Sequence, residues 1–115
     1  MDYFLCKHLT AEEKEGISNF VMADPHGCLI QHPEWTHVVK ESRIIKYLFF
    51  WGGKDGKILV SAMVKRHISS GLGWAKDIVF RGPVCSQYPI LRAAILKLTD
   101  LLQSKGSVYL KLNSY

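Results

Sequence analysis

Residues Ile44 to His67, IIKYLFFWGGKDGKILVSAMVKRH, give the clearest indication of the fold. This stretch holds two apolar runs rich in β-branched and aromatic residues, a composition typical of strands. Between them, Gly52 to Gly56 is a run of glycines and charged residues. The sequence therefore predicts an antiparallel hairpin of Ile44–Trp51 and Lys57–His67, joined by a loop of about five residues.

Three elements are predicted before this hairpin. Tyr3–Leu9 is a short strand. Thr10 to Glu13 reads TAEE, a capping-box pattern that opens a helix running to about Met22. A second short helix begins near Pro33, because proline suits the first helical turn.

Three further elements are predicted after the hairpin. Trp74–Phe80 is a strand, Tyr88–Gln103 repeats apolar residues at helical spacing, and Val108–Leu112 is a last strand. The order is β-α-α-β-β-β-α-β. It indicates the α/β (α+β) class, with a mixed, largely antiparallel sheet flanked by helices and a last strand parallel to Trp74–Phe80.

Length and composition limit the class of protein. A chain of 115 residues, 48% hydrophobic and 22% charged, is typical of one globular domain at most. The net charge of +5 favours anionic partners such as phosphates, nucleotides or tRNA, although a solvated basic surface gives the same charge. Three widely spaced cysteines indicate reduced thiols in a cytoplasmic protein. We find no secretory signal and no apolar run long enough for a transmembrane segment.

No local pattern identifies a catalytic residue. His26, His32 and His37 match no zinc-ligand spacing and are interpreted as surface or capping residues, so no metal is expected. Cys85 follows a strand but has no nucleophile signature around it. It is interpreted as a loop or core cysteine.

Several cations and a tryptophan are candidates for ligand binding. Lys40 and Arg43 follow the second predicted helix, and Arg81 ends the third predicted strand. Three cations near strand ends can bind a polyanionic ligand or form surface salt bridges. Trp35 can stack on a nucleobase or sugar ring, or belong to the core. Spacing alone leaves these alternatives open.

Two motifs resemble those of the Fem family of peptidoglycan aminoacyltransferases. The run Asp24–Trp35, DPHGCLIQHPEW, is similar to the family's P-x-G-x-x-x-Q-x-x-x-W segment. Phe80–Val84, FRGPV, is similar to its (K/R)-G-P-V strand end. Asp55–Ala62 and Val108–Leu112 resemble the family's hairpin and next strand. The resemblance covers nearly the whole chain, but only the first part of a typical family member.

The resemblance implies a protein built from two domains related to the GNAT acetyltransferase fold. Such proteins transfer an amino acid from aminoacyl-tRNA to a UDP-MurNAc-peptide or its lipid-linked form in bacterial cell-wall synthesis. Residues 1–115 would then be a single partial GNAT-like domain that holds the acceptor, needs no cofactor, contacts no DNA and is inactive by itself. A homo-oligomer is compatible with this interpretation. Together with the candidates above, the predicted substrate-binding residues are Gln31, Trp35, Lys40, Arg43 and Arg81.

The sequence also departs from the family pattern. Relatives often carry a lysine one helical turn after the motif tryptophan, where this chain has Val39, and Lys40 lies about 100° further round a helix. The turn from Arg81 to Ser86 lacks the second glycine of an acyl-CoA loop and contains a proline, which argues against CoA as the donor. A CoA-dependent N-acyltransferase and a non-catalytic ligand-binding module are the alternatives.

Overall fold

The fold is built on one five-stranded sheet. A computed structural model describes residues 1–25, 27, 29–37, 39, 41–69, 71, 73–85 and 87–113. Its elements are β1 (Asp2–Cys6), α1 (Ala11–Ala23), two 3-10 turns (Leu29–Gln31 and Pro33–His37), β2 (Ile45–Lys54), β3 (Lys57–Ile68), β4 (Ala75–Phe80), α2 (Tyr88–Ser104) and β5 (Ser107–Asn113). The strand order is β1-β2-β3-β4-β5, with every pair antiparallel except β4 and β5. The predicted mixed sheet and its parallel last strand are confirmed.

The two helices follow the predicted signals. The Glu13 amide donates to the Thr10 hydroxyl at 3.1 Å, and the Thr10 amide donates to the Glu13 carboxylate at 2.8 Å, so the capping box is present. In α2 the fully buried residues are Ala94, Leu98 and Leu102. Their spacing puts one apolar stripe against the sheet. Among the described residues, no helix is both long and apolar enough to cross a membrane.

The second predicted helix is a short 3-10 turn. The Trp35 amide donates to the His32 carbonyl at 2.9 Å, and the Glu34 amide donates to His32 Nδ1 at 3.0 Å. Short 3-10 segments of this kind serve as connectors. His32 is thus a capping residue, as predicted, whereas His26 and the His37 side chain lie outside what the structure describes.

The hairpin turn is tighter than the sequence analysis predicted. β2 continues to Lys54 and β3 begins at Lys57, which leaves only Asp55 and Gly56 in the turn. Their φ angles of 54° and 76° are the positive pair that a type I′ turn requires. Gly52 and its neighbour stay in the strand, at a bulge. The predicted loop of about five residues was wrong because glycines in a strand can mark a bulge as well as a turn.

The sheet buries a core on each face. On one face, Phe50, Val64 and Val79 pack with Leu98 of α2. On the other face, Ile17 and Val21 of α1 pack with aromatic residues of β2 and with Met63. This alternation follows from the two-residue period of a strand.

A buried ion pair joins β3 and β4 to the end of α2. Arg66 and Asp77 are cross-strand partners on the α2 face, and Asp77 is fully buried. Arg66 Nε lies 2.8 Å from Asp77 Oδ1, and Nη2 lies 3.0 Å from Oδ2. Arg66 Nη1 also donates to the Lys105 carbonyl at 2.8 Å. The guanidinium therefore satisfies a carbonyl at the helix end, where intrahelical partners are missing.

Candidate ligand-binding pocket

The pairing of β3 with the chain after β4 is interrupted beside α1. Val64 pairs with Val79 in the regular register, whereas Ser61 pairs with Val84 in an isolated bridge. Residues 62–63 of β3 therefore face the four residues 80–83, and the longer segment forms a bulge. Backbone groups at such a bulge need other hydrogen-bond partners.

Gln31 supplies those partners. Its Oε1 accepts a hydrogen bond from the Met63 amide at 2.7 Å, and its Nε2 donates to the Phe80 carbonyl. If the register of Val64 and Val79 continued, Met63 would face Phe80, so the amide group lies between two backbone groups that would otherwise pair. We call this arrangement the Gln31 latch. It ties the first 3-10 turn to both strands.

The glycines of the two motifs allow these close approaches. A Cβ atom on Gly82 would lie 3.0 Å from the Gln31 side-chain amide carbon. A Cβ atom on Gly27 would lie 1.7 Å from the Val21 carbonyl oxygen, in the last turn of α1. The chain can therefore reverse tightly after α1 and present Gln31 to the bulge.

A pocket of about 260 Å³ opens beside the Gln31 latch. Its lining consists of Ile30, Trp35, Val39, Tyr47, Met63, Lys65 and Phe80. Lys65 is the one cation in this lining, among the residues that the structure describes. The volume is near the lower end for small-molecule sites, so this pocket suits a sugar ring or a peptide side chain. We call it the Trp35 pocket.

A second pocket lies on the other side of Tyr47. Its volume is about 290 Å³, and its lining is Lys7, His8, Leu9, Lys14, Pro33, Thr36, Glu41, Tyr47 and Phe49. Tyr47 is a wall common to both pockets. Burial and the nearby Glu41 carboxylate raise the pKa of Tyr47, so its phenol stays protonated at neutral pH.

The predicted site residues do not all meet in this region. Trp35 lines the pocket, and Gln31 lies behind it with both ends of its amide bound to backbone. Arg43 and Arg81 are exposed and line neither of the two pockets. Lys40 lies outside the described residues.

Lys65 is the pocket residue that sequence analysis missed. It lies two positions after Met63, and both side chains project from the same face of β3. The two-residue period of side chains along a strand would have placed Lys65 on the same face as Met63, which is the α1 face. It could not have shown that Trp35 and Phe80 come to the same place, because they lie on separate segments.

Cys85 is a core residue, as predicted. It is 4% exposed and packs in the cluster on the α2 face. Burial raises the pKa of its thiol, which disfavours the thiolate that a nucleophile would need. Within the described part of the chain, no group of three or more His, Cys, Asp or Glu side chains is placed to hold a metal ion.

Solved structures share this fold. No family model matches the sequence, and no curated protein matches it. FemX superposes on 93% of this chain with a TM-score of 0.69 and 18% identity, and the chain spans 25% of the FemX chain. A ribosomal-protein-alanine N-acetyltransferase from Brucella melitensis biovar Abortus 2308 superposes on 100% of it with a TM-score of 0.66 and 15% identity, over 81% of that protein. The chain therefore has a Fem-like GNAT fold, as its sequence predicted.

Proposed function

We propose that this chain is the acceptor-binding domain of a Fem-type aminoacyltransferase. The observation that carries the proposal is the Gln31 latch, which joins the two segments that resemble Fem motifs and leaves the Trp35 pocket beside them. The fold shared with FemX supports it. Because the chain spans a quarter of FemX, the proposed activity is that of a longer protein of which this domain is one part.

The proposed reaction is direct aminoacyl transfer. The acceptor amine attacks the ester carbonyl of an aminoacyl-tRNA, so a C–N bond forms while the ester C–O bond breaks. The ribose hydroxyl leaves with its oxygen protonated, and the amine loses a proton. No covalent enzyme intermediate is needed, which agrees with the buried thiol of Cys85. The domain contributes positioning and charge complementarity.

The Trp35 pocket offers two kinds of contact to such an acceptor. Trp35 and Phe80 give apolar walls for a sugar ring or a peptide side chain. Lys65 is partly exposed and makes no ion pair within the described residues, so it is available to a phosphate or a carboxylate of the precursor. Arg43 and Arg81 stay predicted contacts outside the pocket, and Lys40 stays a predicted contact outside the described residues.

A CoA-dependent N-acyltransferase is the second candidate, because the Brucella acetyltransferase has the same fold. A CoA pyrophosphate would need free backbone amides in the turn before α2. Pro83 has no amide hydrogen, and the Val84 amide donates to the Ser61 carbonyl at 2.7 Å. Among the described residues of this turn, Pro83 and Val84 therefore offer no amide to CoA, and we favour the Fem-type acceptor domain.

Calorimetric titration with UDP-MurNAc-pentapeptide tests the proposal. We expect Lys65→Ala to weaken binding by about tenfold, since a hydrogen bond to a charged group contributes roughly 1.5 kcal/mol or more. Trp35→Ala should weaken it by a similar factor through lost packing. Lys97→Ala, an exposed charge on α2, is the matched control and should leave the affinity unchanged.

Equal affinities for all four proteins would exclude the Trp35 pocket as the acceptor site. Thermal stabilisation by acetyl-CoA, without any stabilisation by the precursor, would favour the CoA-dependent enzyme. In the longer protein, precursor binding without transfer from aminoacyl-tRNA would favour the non-catalytic module.

A further inference from the structure

A pocket with charged groups of both signs lies on the far side of Tyr47, and the proposed function does not use it. Lys7 and His8 line this pocket from the segment between β1 and α1, whereas Glu41 lines it from the segment before β2. We call it the Lys7 pocket. Because it presents a cation and a carboxylate together, it is complementary to a ligand that carries both charges.

The two opposite charges are available to such a ligand. Lys7 is exposed and makes no ion pair with any residue that the structure describes. The Glu41 carboxylate accepts a hydrogen bond from the Tyr47 amide at 3.1 Å through Oε2, which places the carboxylate at the start of β2. The other lysine of the lining, Lys14, is bound to Glu34 at 2.5 Å. Lys7 and Glu41 therefore supply the charges that a ligand would meet.

The Tyr47 phenol adds a hydrogen-bond donor. The residue is 8% exposed, yet its hydroxyl forms no hydrogen bond with another described residue. A polar group that is buried to this extent normally has a partner, and here a bound molecule can supply one. Burial and the nearby Glu41 carboxylate raise the pKa of Tyr47, so the phenol keeps the proton that it would donate.

The walls and the volume of the Lys7 pocket limit the rest of the ligand. Leu9, Pro33 and Phe49 line the pocket with apolar surface. Its volume of about 290 Å³ is just below the range of small-molecule sites, which begins at roughly 300 Å³. The space suits a single amino acid with an apolar side chain. An inorganic phosphate would leave the apolar walls uncovered and would be repelled by Glu41.

We propose that the Lys7 pocket binds a free α-amino acid with an apolar side chain. The carboxylate of the amino acid accepts hydrogen bonds from the Lys7 ammonium and the Tyr47 phenol, and its ammonium donates to Glu41. The amino acid carried by an aminoacyl-tRNA is an ester without a free carboxylate, so it is a different ligand. Among the described lining residues, Tyr47 alone is common to this pocket and the Trp35 pocket. The inference therefore goes beyond the proposed function and does not depend on it.

NMR titration of the isotope-labelled chain with L-leucine and two analogues tests which groups of the ligand are recognised. N-acetyl-L-leucine lacks the ammonium, and L-leucine methyl ester lacks the carboxylate. We expect each analogue to bind at least about fivefold more weakly than L-leucine, because each loses one charge-assisted contact.

Three variants test which residues recognise these groups. Tyr47→Phe keeps the ring and removes the hydroxyl, so L-leucine binding should weaken about tenfold. Lys7→Met and Glu41→Gln should each weaken it about threefold to tenfold, and glutamine can still accept a hydrogen bond from the Tyr47 amide. The matched controls Lys97→Met and Asp100→Asn change exposed charges of α2, on the opposite face of the sheet. Both should alter the affinity less than about twofold, because salt screens distant exposed charges.

Four outcomes would overturn the inference: no L-leucine binding by the unaltered chain, equal affinity for L-leucine and either analogue, unchanged affinity in all three pocket variants, or equal losses in the two controls. Equal affinity for N-acetyl-L-leucine would make the Lys7 pocket a site for the carboxylate end of a peptide. Equal affinity for the methyl ester would make it a site for an aminoacyl ester. None of these results bears on the acceptor site in the Trp35 pocket, which calorimetry with UDP-MurNAc-pentapeptide tests separately.

Discussion

Replacing Asp77 with asparagine is expected to lower the free energy of unfolding by about 3–5 kcal/mol. Asp77 is fully buried, and its carboxylate accepts two hydrogen bonds from Arg66. The amide keeps the shape and one acceptor oxygen but removes the charge, so the buried guanidinium loses its counter-ion and keeps only neutral acceptors, including carbonyls at the end of α2. Equilibrium unfolding in urea, followed by circular dichroism, measures the loss.

Two further variants test whether the loss of stability comes from the buried ion pair. Asp100→Asn changes an exposed carboxylate on α2, and we expect a change within about 0.5 kcal/mol. Arg66→Met/Asp77→Leu removes both charges and should recover much of the stability, because apolar replacement of a buried pair is often neutral. If Asp77→Asn costs no more than Asp100→Asn, the pair does not hold β3, β4 and α2 together.

Replacing Gln31 with alanine is expected to lower the free energy of unfolding by about 2–6 kcal/mol and to abolish precursor binding. The change leaves the Met63 amide and the Phe80 carbonyl without the Gln31 side chain, and each unpaired buried group costs about 1–3 kcal/mol. The first 3-10 turn would also lose its tie to the sheet, and Trp35 lies in the turn that directly follows it. Urea unfolding measures the first effect, and calorimetry with UDP-MurNAc-pentapeptide measures the second.

Gln31→Glu is the matched variant. A carboxylate can still accept a hydrogen bond from the Met63 amide but cannot donate one to the Phe80 carbonyl. We therefore expect a lower free energy of unfolding, because one hydrogen bond is lost and a charge is buried. Gln103→Ala, at an exposed position near the end of α2, should change the stability by less than about 0.5 kcal/mol. Unaltered stability and unaltered precursor affinity in Gln31→Ala would show that the Gln31 latch neither supports the fold nor shapes the pocket.

The candidate site was only partly predictable. The resemblance of Asp24–Trp35 and Phe80–Val84 to Fem motifs marked the two segments that do meet, and Trp35 does line a pocket. The residue types did not reveal that Gln31 is bound to backbone at both ends of its amide, or that Lys65 is the cation in the pocket. A glutamine in such a motif can contact a ligand or hold the backbone in place. Only the hydrogen-bond partners of its side chain in the folded protein distinguish these two roles.

Local sequence is enough to predict the order of the strands and of the two α-helices, and the capping box at Thr10. These features depend on local chemistry and on periods of 2 and 3.6 residues, which are visible in any short window. The packing of the chain, by contrast, brings Gln31 to Phe80, 49 positions further along the chain, and Arg66 to Asp77 under the end of α2. Such partners depend on strand register and on how the layers pack, and no local pattern encodes the distance between two distant segments.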